Sequence, residues 1–215
     1  MTTGLSADIV ICGAGIAGVS AACSLAAERH AGRVLLVDRG APLSLTSDHY
    51  TEAYRNWWPG PGDAMVRLMN ASIDRLEALA RRSGNVFRLN RRGYLYCTAD
   101  PQRALEMQRA AAEISALGAG ELRVHGNPSD AGADDLRDGE SPRRRGGFEV
   151  VRSTATRPYT PHASEEFEDQ PDGADLLLDP ALIRTHFPYH SEGVVAALHV
   201  RRAGWFSAQQ LGMYL

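Results

Sequence analysis

The chain has 215 residues, 44% of them hydrophobic and 23% charged, with a net charge of −3. That is ordinary globular usage with enough length to bury a core, and the acidic balance disfavours nucleic acid, whose binders must neutralise phosphates. All 23 basic residues are arginine, which excludes a Schiff-base lysine, a P-loop lysine and a lysine general base within this chain.

The cysteines Cys12, Cys23 and Cys97 are odd in number and lack a Cys-x-x-Cys pair, so they suggest neither a disulfide framework nor a zinc site. No run approaches the ~18 apolar residues of a membrane span. Met1 leads into the apolar run at Ile9 without a basic leader, so no signal peptide and a cytoplasmic location are expected.

Ala7 to Cys12 is a short, nearly continuous apolar run, as in a parallel strand covered on both faces. The glycine pattern Gly13 to Gly18 follows, and the alanine-rich stretch from Val19 to Arg29 reads as a helix. Arg33 to Val37 is a second buried strand that ends at Asp38. These 38 residues predict one βαβ unit. From Asp63 to Arg82, Val66, Met69, Ile73, Leu76 and Ala80 share one helical face, with Gly84 at the stop. Two short strands are predicted next, Val86–Leu89 and Gly93–Thr98. Asp100 then caps a helix that opens on Pro101 and runs to Leu117, with Gly118 ending it.

Between Gly126 and Gly147 only Ala131, Ala133 and Leu136 are apolar. Such a stretch buries too little surface to offset its ordering entropy, and a flexible insertion is expected. A second polar stretch covers Ser153 to Asp172. Order is predicted to return with Ala174–Leu178, a short helix capped by Asp179 and ending at Pro188, a strand at Val194–Val200, and a helix from Phe206. The divisions expected are 1–60, 61–125, a flexible 126–173, and 174–215.

In Gly13-Ala14-Gly15-Ile16-Ala17-Gly18 each glycine has a mechanical duty. Gly13 allows the turn off the strand, Gly15 lets backbone approach a pyrophosphate, and Gly18 lets helix and sheet pack closely. Ile16 and Ala17 lie in the first helical turn, whose N–H groups and dipole favour an anion. Asp38 stands twenty residues past Gly18 at the end of the next strand, placed to take the hydroxyls of an adenine ribose. Its charge speaks against a 2′-phosphate, although the adjacent Arg39 weakens that point. The motif alone does not separate FAD from NAD.

The glycine motif at the extreme N-terminus resembles that of flavoproteins of the D-amino-acid oxidase and sarcosine oxidase group. So does the run Leu178-Asp179-Pro180-Ala181-Leu182-Ile183, Phe187-Pro188-Tyr189, Ala196-Ala197-Leu198-His199, and Ala203-Gly204-Trp205-Phe206-Ser207-Ala208-Gln209-Gln210-Leu211. The resemblance covers both ends and the Asp38–Arg55 region, not Gly126–Asp172. It implies an FAD-binding α/β fold: a Rossmann-like βαβ unit of an incomplete doubly wound sheet, with part of an α+β substrate domain. The activity implied is oxidation of a C–N bond of an amine or amino acid by hydride transfer to FAD. It further implies an N-terminal half, with a second chain a possible partner that completes the FAD domain. Thr46 and Ser47 fall in the loop that the family runs along pyrophosphate and flavin. Arg55, in Tyr54-Arg55-Asn56-Trp57-Trp58-Pro59, falls where relatives place a basic residue facing the substrate, and arginine suits bidentate carboxylate binding. His49 does not match the spacing of a covalent flavin link, and Cys12 and Cys23 are expected in the core. A pyridine-nucleotide dehydrogenase and a non-catalytic FAD-binding module are the alternatives.

Overall fold

The computed structural model of the chain describes residues 6–27, 31–49, 52–126, 158–161 and 166–215. These divide into two compact units, one of Met1–Ala53, Arg75–Asn90 and Trp205–Leu215, the other of Tyr54–Asp74 and Arg91–Gly204.

The first unit holds the predicted βαβ motif. β1 (Ile9–Cys12) and β2 (Val34–Val37) pair in parallel, with Ile9 opposite Val34 and Cys12 opposite Val37, and α1 (Ile16–Ala27) connects them. Among the described residues β2 is the strand that β1 pairs with. Val10 is 55% exposed, and α1, apolar nearly all round, has no buried residue. Cys12 is exposed and Cys23 half-buried, which corrects the expectation of two core cysteines: Cys12 shares the exposed face of β1 with Val10, and α1 has no buried residue. A one-turn helix, α2 (Thr46–His49), follows. The far end of the chain returns as α6 (Ala208–Tyr214), capped by the Ser207 side chain, which accepts from the Gln210 N–H at 3.2 Å.

Phe87 and Leu89 are fully buried in the same unit, but Val86–Leu89 is not the strand that its apolar content predicted. Asn85 and Arg88 both sit at φ 56°. The Asn85 side chain accepts from the Leu89 N–H at 2.8 Å and donates to the Leu89 carbonyl at 2.9 Å. That local closure satisfies the backbone as a turn, in competition with a ladder. Phe87 meets Phe206 edge-on at 6.2 Å, and its carbonyl accepts from the Ser207 N–H.

Two further strands, β3 (Glu52–Arg55) and β8 (Ala203–Phe206), were not expected from the sequence and form a two-stranded sheet. α3 (Ala64–Ser83) matches the predicted amphipathic helix, and Val66, Ile73 and Ala80 of its expected face are buried.

The second unit is built on a four-stranded sheet in the order β4 (Tyr94–Thr98), β7 (Ala196–Val200), β6 (Ala174–Leu177), β5 (Leu122–His125). Its pairs are antiparallel except the parallel β5–β6. β6 and β7 are buried along their whole length, as central strands covered on both faces should be. One face packs Val124, Leu176, Leu198 and Val200 against Ala111 and Ile114 of α4 (Pro101–Ile114), with Trp57 and Val66. α4 begins as predicted: Asp100 accepts from the Gln102 N–H at 2.9 Å with Pro101 in the first turn. It continues as a wide turn over Ser115–Ala119, in which Gly118 takes φ 97°. The other face packs Leu177 and Ala197 against Ile183 of α5 (Pro180–His186), Phe187 and Tyr159.

Tyr159 and Phe167 differ from the expectation of a flexible 126–173. Both are buried, because aromatic side chains in an otherwise polar stretch still gain more from burial than ordering costs. Residues 127–157 of the expected insertion lie outside the described residues. No described helix is long and apolar enough to cross a membrane.

Candidate functional site

At the end of β1, Gly13 takes φ 110°, a conformation that a side chain rarely tolerates. Its N–H donates to the Val37 carbonyl at 2.8 Å, so the turn leaves the sheet while still tied to β2. A Cβ placed on Gly18 would overlap the Gly13 carbonyl oxygen and lie 3.0 Å from its carbon. The helix therefore seats on the turn only because Gly18 is bare. Gly15 is the opposite case: a Cβ there meets no atom within 4 Å. Its bareness relieves nothing inside the protein and leaves a backbone surface clear for a ligand. Ile16 and Ala17 open α1 immediately behind it, where the helix dipole is positive.

Asp38 sits at the end of β2 and faces this turn. Its Oδ2 accepts from the Ala14 N–H at 2.7 Å and its Oδ1 from the Gly40 N–H at 2.8 Å. The Ala14 bond and then the Gly40 bond hold the carboxyl below the usual carboxylate range, so it is an anion at neutral pH. Each carboxylate oxygen keeps a lone pair beyond these bonds, and Asp38 is exposed. Arg39 next to it is exposed as well. The turn and the acid together fit a dinucleotide with a pyrophosphate over Gly15 and a ribose at Asp38.

The loop after Asp38 closes on the same turn. Leu43 donates its N–H to the Ala14 carbonyl at 2.9 Å, and its side chain is buried. Leu43 takes φ 61°, a strained choice for a side-chain-bearing residue. Gly212 of α6 makes room for it: a Cβ on Gly212 would fall 2.7 Å from Leu43 Cδ2. Thr46 and Ser47 then lie in α2, with Thr46 exposed, and His49 is exposed at its last position.

Arg55 belongs to the second unit and has a different setting. Its guanidinium lies 4.2 Å over the Trp58 ring and 5.2 Å from the centre of the Tyr94 ring. Trp58 is fixed in turn by its indole N–H, which donates to the Arg55 carbonyl at 3.1 Å. The Arg55 Nε is buried and makes no hydrogen bond, and among the described residues no carboxylate forms an ion pair with this side chain. Two ring faces thus hold a cation whose hydrogen-bonding edge has no partner among the described residues. Trp57, by contrast, is core.

The sequence reading missed a second polar group, on the sheet face that carries α5. Asp175, 1% exposed, accepts from Arg123 Nε at 2.8 Å, bonds His125 Nε2 at 2.7 Å and pairs with Arg201. Burial alone would raise this carboxyl. The bonds from His125 and Arg123 and the charge of Arg201 outweigh burial and hold it well below the carboxylate range. Beside it the Tyr159 hydroxyl lies 2.8 Å from His199 Nδ1, and His199 Nε2 lies 3.4 Å from the Arg92 carbonyl. A carbonyl only accepts, so any hydrogen bond between this pair is donated by His199 Nε2. The register Arg123–Asp175–His199 across β5, β6 and β7 creates this group. It joins residues far apart in sequence, which no local pattern announces. Among the described residues no cluster of His, Cys, Asp and Glu could hold a metal ion.

Residues 8–215 match the family described as FAD dependent oxidoreductase (DAO). No curated protein matches the sequence. Among solved structures, L-proline dehydrogenase from P. horikoshii aligns with a TM-score of 0.62 at 16% identity, over 97% of this chain and 40% of that one. Glycine oxidase from Geobacillus kaustophilus aligns with a TM-score of 0.62 at 15% identity, over 96% and 42%. Glycine oxidase from Bacillus cereus gives 0.58 at 15%, over 97% and 42%. These likenesses concern the fold, and the chain spans about two fifths of each of those proteins.

Proposed function

Since the chain belongs to the FAD-dependent oxidoreductase (DAO) family, whose cofactor is FAD, we propose that it is the cofactor-binding and carboxylate-anchoring part of an enzyme that oxidises the C–N bond of an amino acid or related amine. The turn Gly13, Gly15, Ile16, Ala17 and Gly18 holds the FAD pyrophosphate and Asp38 holds the adenine ribose. Arg39, Thr46 and Ser47 add contacts to the phosphates or the flavin. FAD, when bound, supplies the hydride acceptor for the carbon attached to nitrogen. Arg55 anchors the substrate carboxylate.

The observation that carries the substrate side is the Arg55 guanidinium: stacked on aromatic rings, partly out of water, and without an ion-pair partner among the described residues. A buried cation is costly unless paired, and a carboxylate offers the matching planar fork. The cofactor side rests on the bare Gly15 surface beside an ionised Asp38. A further polypeptide segment, in the same chain or a second one, covers the free side of β1 and the apolar α1. In support, Val10 is largely exposed and no residue of α1 is buried, whereas a doubly wound sheet flanks its first strand on both sides.

Equilibrium dialysis against FAD and NAD tests the cofactor reading: retained FAD and unretained NAD support it, and equal retention overturns it. In the completed enzyme, anaerobic addition of an amino acid should bleach the flavin band. The same amine without its carboxylate should need a far higher concentration, and equal potency would remove Arg55 from the substrate site.

A further inference from the structure

The rings around Arg55 are more than a support for its charge. Tyr94 and Tyr96 stand on the same face of β4, two residues apart, with ring centroids 4.9 Å from each other. Tyr94 and Trp58 also carry the Arg55 guanidinium, at 5.2 Å and 4.2 Å. Tyr94 and Tyr96 pack in part against the core of the second unit and, like Arg55 and Trp58, stay half-buried, so each retains some exposed surface. We propose that these rings form an apolar wall that selects the body of the ligand: the carboxylate held at Arg55 belongs to a molecule with a compact, uncharged, ring-like or branched apolar side chain. This rests on the reading of Arg55 as the carboxylate anchor and names the substrate class it serves.

The chemistry at the wall favours that class. Once Arg55 is spent on the carboxylate, the described residues of the wall, Trp58, Tyr94 and Tyr96, offer no second cation, so a second carboxylate on the ligand would be desolvated without compensation there. Tyr96 adds no charge of its own, because burial pushes its hydroxyl up, further than the nearby Arg55 charge brings it down. A flat ring gains both area burial and ring contact there, whereas acetate gains neither.

Isothermal titration of the full chain with acetate, succinate and cyclohexanecarboxylate is the test. Cyclohexanecarboxylate should bind at least about tenfold more tightly than acetate and more tightly than succinate. Tyr96→Thr and, separately, Tyr94→Thr place a β-branched residue suited to a strand; either should shrink that preference to about threefold or less. Arg55→Met should abolish binding of all three. Equal affinity for acetate and cyclohexanecarboxylate, tighter succinate binding, or a preference intact in both tyrosine variants would overturn the wall. Unchanged binding in Arg55→Met, or no heat from any of the three in the unaltered chain, would instead overturn the carboxylate reading of Arg55.

Discussion

The carboxylate of Asp38 accepts the backbone N–H of Ala14 at 2.7 Å, so the acid that follows β2 braces the turn that follows β1. One oxygen helps to shape the turn, and both keep a lone pair for the ribose proposed there. Asp38→Asn puts a donor and a weaker acceptor where two N–H groups point. We expect FAD affinity to fall by about tenfold or more, as read by quenching of flavin fluorescence. An unchanged affinity would mean that the ribose lies elsewhere.

Gly15 and Gly18 allow folding and binding to be separated. Gly18→Ala forces a methyl into the Gly13 carbonyl, an overpacking that should cost about 1–3 kcal/mol and lower the melting temperature with or without FAD. Gly15→Ala meets no protein atom within 4 Å. Its melting curve without FAD should match that of the unaltered chain, while the upward shift on adding FAD should shrink. Loss of stability in both variants alike would show that neither glycine is reserved for a ligand.

Acid should weaken the second unit through Asp175. Its folded-state carboxyl is held below the unfolded value of about 3.9 by His125, Arg123 and Arg201. A depressed pKa contributes stability that is fully present above the unfolded value and is lost as pH falls towards the folded one. Urea midpoints measured from pH 7 to pH 3 should therefore decline at the acid end. In Asp175→Asn, which leaves two arginines facing a neutral amide, stability at pH 7 should drop by about 3–5 kcal/mol and the acid decline should flatten. A parallel decline in both proteins would assign it to other groups.

The exposure of Val10 on β1 and the lack of buried residues in α1 make a further prediction. The exposed Val10 and the apolar surface of α1 should bind a hydrophobic dye strongly, since patches of this kind mark interfaces. Residues 1–215 alone should bind FAD weakly and turn over no amine. Co-expression with a polypeptide that supplies a parallel strand beside β1 should suppress dye binding and tighten FAD binding. Stoichiometric, tightly held flavin and an absence of dye binding in the isolated monomer would contradict this.

The parts of the fold written in local code were legible in the sequence. α3 is announced by the spacing of Val66, Ile73 and Ala80, α4 and α5 by Asp100-Pro101 and Asp179-Pro180, and the βαβ turn by its glycines. β3, β5 and β8 were not legible: each is four residues long and carries polar or mixed residues that fit a strand only beside particular partners. Val86–Leu89 misled because apolar content marks burial, not conformation, and the Asn85 side chain decides the latter. Arg55 was singled out by a resemblance, yet the rings that frame it include Tyr94 on a strand thirty-nine residues later. The Asp175 group had no signature at all, since its members become neighbours only through register.

Leu43 and Gly212 tie the last helix to the glycine turn, with Leu43 bonded to Ala14 and nested against α6. An element some two hundred residues downstream in the sequence is thus a mechanical part of the cradle. Ligation and the docking of α6 become thermodynamically linked: whatever tightens the turn disfavours opening of the helix, and a frayed helix taxes affinity. Amide exchange in 208–214 should slow on addition of FAD although none of those residues need touch it, making the far end of the chain a remote gauge of occupancy.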